Sequence, residues 1–420
     1  MSTLKNINRQ ETLSDIFSFS LMKNMEKSVL EATSNLLNKE ETLPFLVDDT
    51  TFIGIEVEVE GLDEGNFPDM RPFWTLREDG SLRNNGMEFV STPMRGKSLI
   101  VALKELEKVL KERYPNHDFS DRTSVHVHIN VRTMLCETFI NFLLLYCVFE
   151  SVLYKYVFDS CGKKRDTNIF CVPLQETGHS LCLDDAIRIF EKGDNKTSLM
   201  RLSQTWKKYS GLNLIPIRSF GTTEFRHLGG ISSTEKILGW INLLLSMKIY
   251  AENTSYQFLK ETVLGLNTNS MYEMFTKDVF GRTSTDILKY NVKEELEKGV
   301  IYVKYIFESS KRRGSVITED EVANSSFKMF LEKQLDTGRL KKKQKKSFQE
   351  MTREELEKQY LSLSNLIVEQ TLSINLLSSL PHTEGQRLDL EDQRNKLIST
   401  INQKERLFEM ISYKYNNEKE

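Results

Sequence analysis

Four short segments between residues 51 and 232 alternate apolar and polar residues with a period of two, the signature of half-buried strands. In TFIGIEVEVE, Ile55, Val57 and Val59 alternate with Glu56, Glu58 and Glu60. TSVHVHINV sets Val125, Val127, Ile129 and Val131 against His126, His128 and Asn130. GTTEFRHL gives one face to Thr222, Glu224 and Arg226 and the other to Phe225. WTLREDGSLRNNGMEFVSTP reads as a hairpin, with an Asp-Gly turn and Met87 and Phe89 around Glu88, so that Asp79 and Glu88 reach the same neighbourhood.

Between these segments, residues 97–113 and 135–159 have helical texture, and the mixture predicts an antiparallel α+β domain. Leu13, Ile16, Phe17, Met22, Met25, Val29, Leu36 and Leu37 predict one amphipathic helix over residues 12–37. Residues 234–310 return to helical spacing, with Trp240, Leu243, Leu244, Leu245, Met247 and Ile249 as a core-facing surface. The expected organisation is an N-terminal helical segment (1–48), an α+β domain (49–310) and a helical C-terminal region (311–420). In that last region Thr352 and Glu355 have capping-box spacing. Two apolar stripes flank the break LPHTEGQ, predicting a hairpin over 352–414. Such a hairpin either packs on the domain or serves as an arm for homo-oligomers or another partner.

Composition narrows the classes. A chain of 420 residues, 39% of them apolar, exceeds the usual single compact domain. The formal net charge of -3 provides no global field for nucleic acid. The run RLKKKQKK at 339–346 has no interleaved aromatic residues for base stacking and reads as a solvated segment. Five cysteines without CxxC spacing argue against a disulfide framework or a zinc site. The start lacks a signal-type apolar core and no uncharged apolar run of membrane length occurs, so a soluble, cytoplasmic protein without membrane contact is expected.

The polar strand faces carry the candidate chemistry. Three carboxylates about 7 Å apart along one strand face repel one another unless solvated or bridged by a divalent cation, and hard cations prefer carboxylate oxygens. Two histidines on a second strand are either surface residues or ligands for metal or phosphate. A carboxylate two residues from a guanidinium is either a salt bridge or a device for holding a cation beside an anionic substrate group.

GIEVEVE, Trp74 with EDGSL and MEFVSTP, HVHIN, a helix containing YCVFE, KYSGLNL, GTTEFRH and the helix with Trp240 occur in the order seen in one protein family. Over roughly residues 50–250 the chain resembles the amidoligase branch of the glutamine synthetase and gamma-glutamylcysteine synthetase superfamily. The resemblance implies a curved antiparallel sheet around a channel in which divalent ions, Mg2+ or Mn2+, bridge ATP phosphates and acidic side chains. It implies an ATP-dependent carboxylate-amine ligase that works through an acyl-phosphate, joining a small-molecule or peptide carboxylate to an amine. Phage members of the family imply a viral source and a host-cytoplasm setting.

Carried over position by position, the resemblance makes Glu56, Glu58, Glu88, His126 and Glu224 metal ligands. His128 and Asn130 face nucleotide phosphates, and Arg226 stabilises the acyl-phosphate or its carboxylate. Glu60 has no family role, and Thr222 stands where glutamine synthetases have a further arginine, which leaves Arg218 as the candidate for that contact. Tyr209 and Asn213 are substrate candidates by position, and Asp79 is the candidate base for the amine proton. Two other readings stay open: another metal-dependent phosphoryl-transfer enzyme, and a non-catalytic interaction protein on a relic ligase fold.

Overall fold

The computed structural model of the chain divides into two compact units, Met1–Leu331 and Glu332–Glu420. It describes residues 11–19, 25–37, 42–62, 67–168, 170–177, 180–206 and 208–312, all in the first unit. The hairpin expected over 352–414 and the basic run at 339–346 lie outside the described residues.

Six strands form one antiparallel sheet: β1 (Ile53–Val59), β2 (Trp74–Glu78), β3 (Met87–Ser91), β4 (Ser124–Asn130), β5 (Leu212–Asn213) and β6 (Thr222–Gly229). Their spatial order is β2-β3-β1-β4-β6-β5. Hydrophobicity decides which way the sheet faces. Ile53, Ile55, Val57 and Val59 on β1 are at most 1% exposed, and Val125, Val127, Ile129 and Phe225 are fully buried beside them. Each such burial is worth roughly 1.5–3 kcal/mol, so a one-residue slip that exposed this row would be strongly disfavoured.

Helices cover the apolar face. Cys136–Cys161 packs on β6, and Thr234–Glu252 packs on that helix and on β4. Val292–Arg312 lies against Cys136–Cys161, and Gly299 permits the close approach: a Cβ there would sit 2.1 Å from the Val148 carbonyl oxygen. The helix Gly96–Arg113 is tied to the sheet where Trp74 Nε1 donates to the Ala102 carbonyl at 2.9 Å. Cys136–Cys161 has the length and hydropathy of a membrane span, although Glu137, Glu150, Lys155 and Asp159 interrupt it. Yet 89% of its most apolar stretch is buried inside the protein, as befits a core helix.

The single helix expected over 12–37 is not what forms. A short turn, Leu13–Ile16, ends where Phe17 turns extended, and a separate helix spans Met25–Leu36. The first piece is committed elsewhere: Thr12 bridges Leu135, the Leu13 and Ser14 amides donate to the Met134 and Arg132 carbonyls, and Leu13 is fully buried. Tertiary contacts thus override helical periodicity there.

Candidate active site

The opposite face of the sheet gathers the charged residues. Across the central strands Glu58 stands directly opposite Glu88, Glu56 opposite His126, and His128 opposite Glu224. Directly opposed side chains have Cβ atoms about 4.5–5.5 Å apart, and like charges so placed destabilise a sheet. Gly54 opposes His128 on the other side, and a Cβ there would come within 3.3 Å of the His128 Cβ, so the missing side chain leaves room for the imidazole.

A β-bulge shapes one side of the cluster. Between the Val125–Leu228 and Val127–Phe225 pairs, Arg226 and His227 together oppose the single residue His126. Arg226 thereby stays with the charged face, while His227 and Leu228 both pass into the core. Period-two reading of GTTEFRHL cannot reveal the extra residue.

Five side chains expected as metal ligands converge. His126 Nδ1 lies 3.0 Å from Glu56 Oε2 and 3.5 Å from Glu224 Oε1, and His126 Nε2 lies 3.8 Å from Glu58 Oε1. Potential ligand atoms fall into three overlapping triplets, each within 4.8 Å: Glu56, His128 and Glu224; Glu56, Glu88 and His126; Glu58, Asp79 and Glu88. Glu56 and Glu88 each belong to two of them. His128 and Asp79, read from the sequence as a phosphate contact and a base, thus also stand at ligand distance. The His128 Nε2 is 3.4 Å from Glu56 Oε1, and its Nδ1 is 3.1 Å from the Thr222 hydroxyl.

Electrostatics register the crowding. Burial, then the charges of Glu56, Glu58 and Asp79 and a hydrogen bond with Glu56, push the Glu88 carboxyl up to about 8. Burial opposes ionisation of Glu56, but hydrogen bonds and charge from His126 and His128 hold it well below the usual carboxylate range. Burial likewise opposes the charge on Glu224, and His126, Arg226 and His128 outweigh it. His128 is raised despite its burial because Glu56 and Glu224 face it. Burial first, and then the neighbouring acids, thus make the Glu88 carboxyl reluctant to ionise.

Arg226 keeps intramolecular partners: its Nη1 donates to Glu224 Oε1 and its Nε to the Phe170 carbonyl at 3.2 Å. A guanidinium only 7% exposed needs a counter-charge, and Glu224 shares its face. Asn213 orients Glu224, its Nδ2 donating to Glu224 Oε2 at 2.7 Å while its Oδ1 accepts the Ile215 amide at 3.0 Å. Asn130 uses its side-chain oxygen on the Arg132 amide at 3.1 Å. Tyr209 is exposed with its ring edge-on to Phe170, and Arg218 is exposed on the short helix Ile217–Phe220. Among the described residues, no hydrogen bond or ion pair joins either to the cluster. Glu60 lies past the end of β1, where its carboxylate accepts the Arg83 amide at 2.7 Å and so fixes the β2–β3 loop.

Sequence reasoning missed Ser124, whose amide and hydroxyl both donate to Glu58 Oε2 at 2.7 Å. The available signal was its position two residues before His126 on a strand.

The family model described as "Putative amidoligase enzyme" matches residues 24–248, a span that includes all six strands and every member of the three triplets. No curated protein matches the chain. With the match covering more than half of the 420 residues, the chain belongs to this amidoligase family.

Proposed function

We infer that the charged face is the catalytic centre of an ATP- and Mg2+-dependent carboxylate-amine ligase on a glutamine synthetase-like sheet. Family membership supports ligase chemistry in general. One observation carries the finer reading: three interlocking triplets of carboxylate and imidazole donors, in which Glu56 and Glu88 are each shared and Glu58 stands directly opposite Glu88.

The donor set fits divalent cations. Carboxylate oxygens with one or two imidazoles suit magnesium or manganese, and Glu56 and Glu88, each in two triplets, would hold more than one ion. Bound there, the ions would neutralise phosphate charge and polarise the phosphoryl group. The chain's own residues supply position. The β1, β3, β4 and β6 backbones fix the spacing of the carboxylates, and Asn213 and Ser124 restrain Glu224 and Glu58. Arg226, beside Glu224 on the charged face, would offer its planar fork to an anionic oxygen of the substrate.

The reaction is read as two displacements. A substrate carboxylate takes the γ-phosphoryl of ATP, giving an acyl-phosphate and ADP. An amine then displaces phosphate to leave an amide. The amine must lose a proton, and Asp79 stands at the end of β2 beside Glu58 and Glu88 to accept it, its own Oδ1 held by the Ser81 amide at 2.7 Å.

A screen of amino acids, peptides and polyamines for ADP and phosphate release tests this reading. Release that needs Mg2+ and both a carboxylate and an amine is the expected result. Release with no amine would point to plain phosphoryl transfer, and full biological function after loss of Glu56 and His126 would point to a relic fold.

A further inference from the structure

Ser124 is 3% exposed and makes three polar contacts that admit one consistent proton arrangement. Its backbone N–H and its hydroxyl both donate to Glu58 Oε2, each at 2.7 Å, and its hydroxyl oxygen lies 2.7 Å from His126 Nε2. A hydroxyl has a single proton and two acceptor lone pairs. With that proton on the Glu58 carboxylate, the Ser124 oxygen can only accept from the imidazole. Nε2 therefore carries a hydrogen, and Nδ1, which donates to Glu56 Oε2 at 3.0 Å and lies 3.5 Å from Glu224 Oε1, is the nitrogen free to exchange its proton for a cation.

We propose that Ser124 is a positioning residue: it commits His126 to donating from Nε2, presents Nδ1 to a divalent cation shared with Glu56 and Glu88, and ties that position to Glu58 in the neighbouring triplet. The inference rests on the cation reading of the charged face. Its physical basis is that a metal-bound imidazole is oriented by whatever its second nitrogen donates to, and losing such a partner weakens binding. A serine is suited to the task because it relays the carboxylate through a group small enough to sit between adjacent strands. Direct capture of Nε2 by Glu58 would bring that carboxylate into the central triplet and remove it from Asp79 and Glu88. At 3.8 Å the closest approach of Glu58 Oε1 to Nε2 is beyond hydrogen-bond length, consistent with the relay.

The test uses the full chain. Ser124→Ala is expected to weaken Mn2+ binding about 10–100-fold, and Ser124→Thr, which keeps the hydroxyl, to restore it. In protein carrying nitrogen-labelled histidine and loaded with cadmium, the metal-nitrogen coupling of His126 should appear on Nδ1 while Nε2 keeps its proton. In Ser124→Ala that selectivity should be lost, a change that a merely structural serine would not produce. Coupling on Nε2 in the wild type, or unchanged affinity and Nδ1 coupling in Ser124→Ala, would overturn the proposal without touching the cation reading. A wild type that binds neither ion would overturn both.

Discussion

The two faces of the sheet each hold histidine and glutamate, and they treat them in opposite ways. On the helix-covered face, His227 is fully buried with its Nε2 2.8 Å from the Tyr146 hydroxyl, which donates to Glu150 at 2.7 Å. Glu150 also accepts the Leu174 amide on both oxygens, and Tyr154 donates to the Cys171 carbonyl at 2.8 Å. Burial keeps this region close to neutrality: it lowers His227 to about 3, with the Arg165 charge adding to the effect, and raises Glu150 to about 7. On the other face, Glu56, Glu58, Glu88 and Glu224 crowd around two imidazoles and one guanidinium, with acids directly opposed across strands. The first arrangement is held by burial and near-neutral hydrogen bonds, although the His227 Nδ1 has no hydrogen-bond partner among the described residues. The second sets carboxylates and imidazoles at metal-ligand spacing, with Glu58 directly opposite Glu88, which distinguishes a candidate site from a core.

The largest expected difference between the faces comes from Glu56→Gln. Glu56 belongs to two triplets, so the substitution should cut divalent-cation affinity and ATP-dependent turnover by more than about 100-fold, beyond the usual cost of losing a mere orienting partner. Titration with Mn2+ and a phosphate-release assay would show it. Metal-free thermal stability should fall near neutral pH, because the Glu56 carboxylate, held below its usual range by His126 and His128, stabilises the fold while ionised.

His227→Ala should do the reverse. It opens a cavity among Tyr146, Tyr154, Phe225 and Trp240 and strips a partner from Tyr146, costing about 2–4 kcal/mol in denaturant unfolding while leaving Mn2+ affinity unchanged. Equal effects on both quantities would mean that the faces are not energetically separate.

A smaller effect belongs to Arg226→Lys. Charge remains but the planar fork is lost, so amide formation should fall on the order of ten-fold with cation binding retained. Wild-type turnover would confine Arg226 to its ion pair with Glu224.

The smallest is a pH effect at Glu88. Its folded pKa, about 8, exceeds the ordinary 4.5, so below about 4.5 both folded and unfolded chains hold the proton and the group contributes nothing to stability. As pH rises from there to about 8 the unfolded state ionises first, and stability falls through that window. Glu88→Gln should therefore gain on the wild type as pH rises, by on the order of 1 kcal/mol after allowance for solvent screening, in melts recorded with a chelator. Mg2+ should erase the difference in slope by offsetting the repulsion in the wild type. An unchanged slope would mean that Glu88 is not crowded.

The contrast between faces was largely legible in the sequence because strand periodicity assigns a side to each residue. GIEVEVE and HVHIN place Glu56, Glu58, His126 and His128 opposite their apolar neighbours with no further information. What was not legible depends on pairing between strands distant in sequence. The bulge that sends both His227 and Leu228 inward exists only in the β4–β6 register. The His227–Tyr146 contact joins residues 81 apart, and Asn213 is known as the partner of Glu224 only once β5 lies beside β6. Arg218 and Tyr209 are both exposed, and among the described residues no hydrogen bond or ion pair links either to the cluster. The break after Ile16 was hidden for the same reason, since it is set by contacts with Arg132 and Met134.

Counting Mn2+ ions bound per chain, by paramagnetic resonance of the free ion in the wild type and Glu56→Gln, tests the cation reading most directly. More than one bound ion in the wild type, with binding lost in Glu56→Gln and retained in His227→Ala, is the predicted result. No bound ion in the wild type, or the same number in Glu56→Gln, would contradict it and leave the crowded acids without a function.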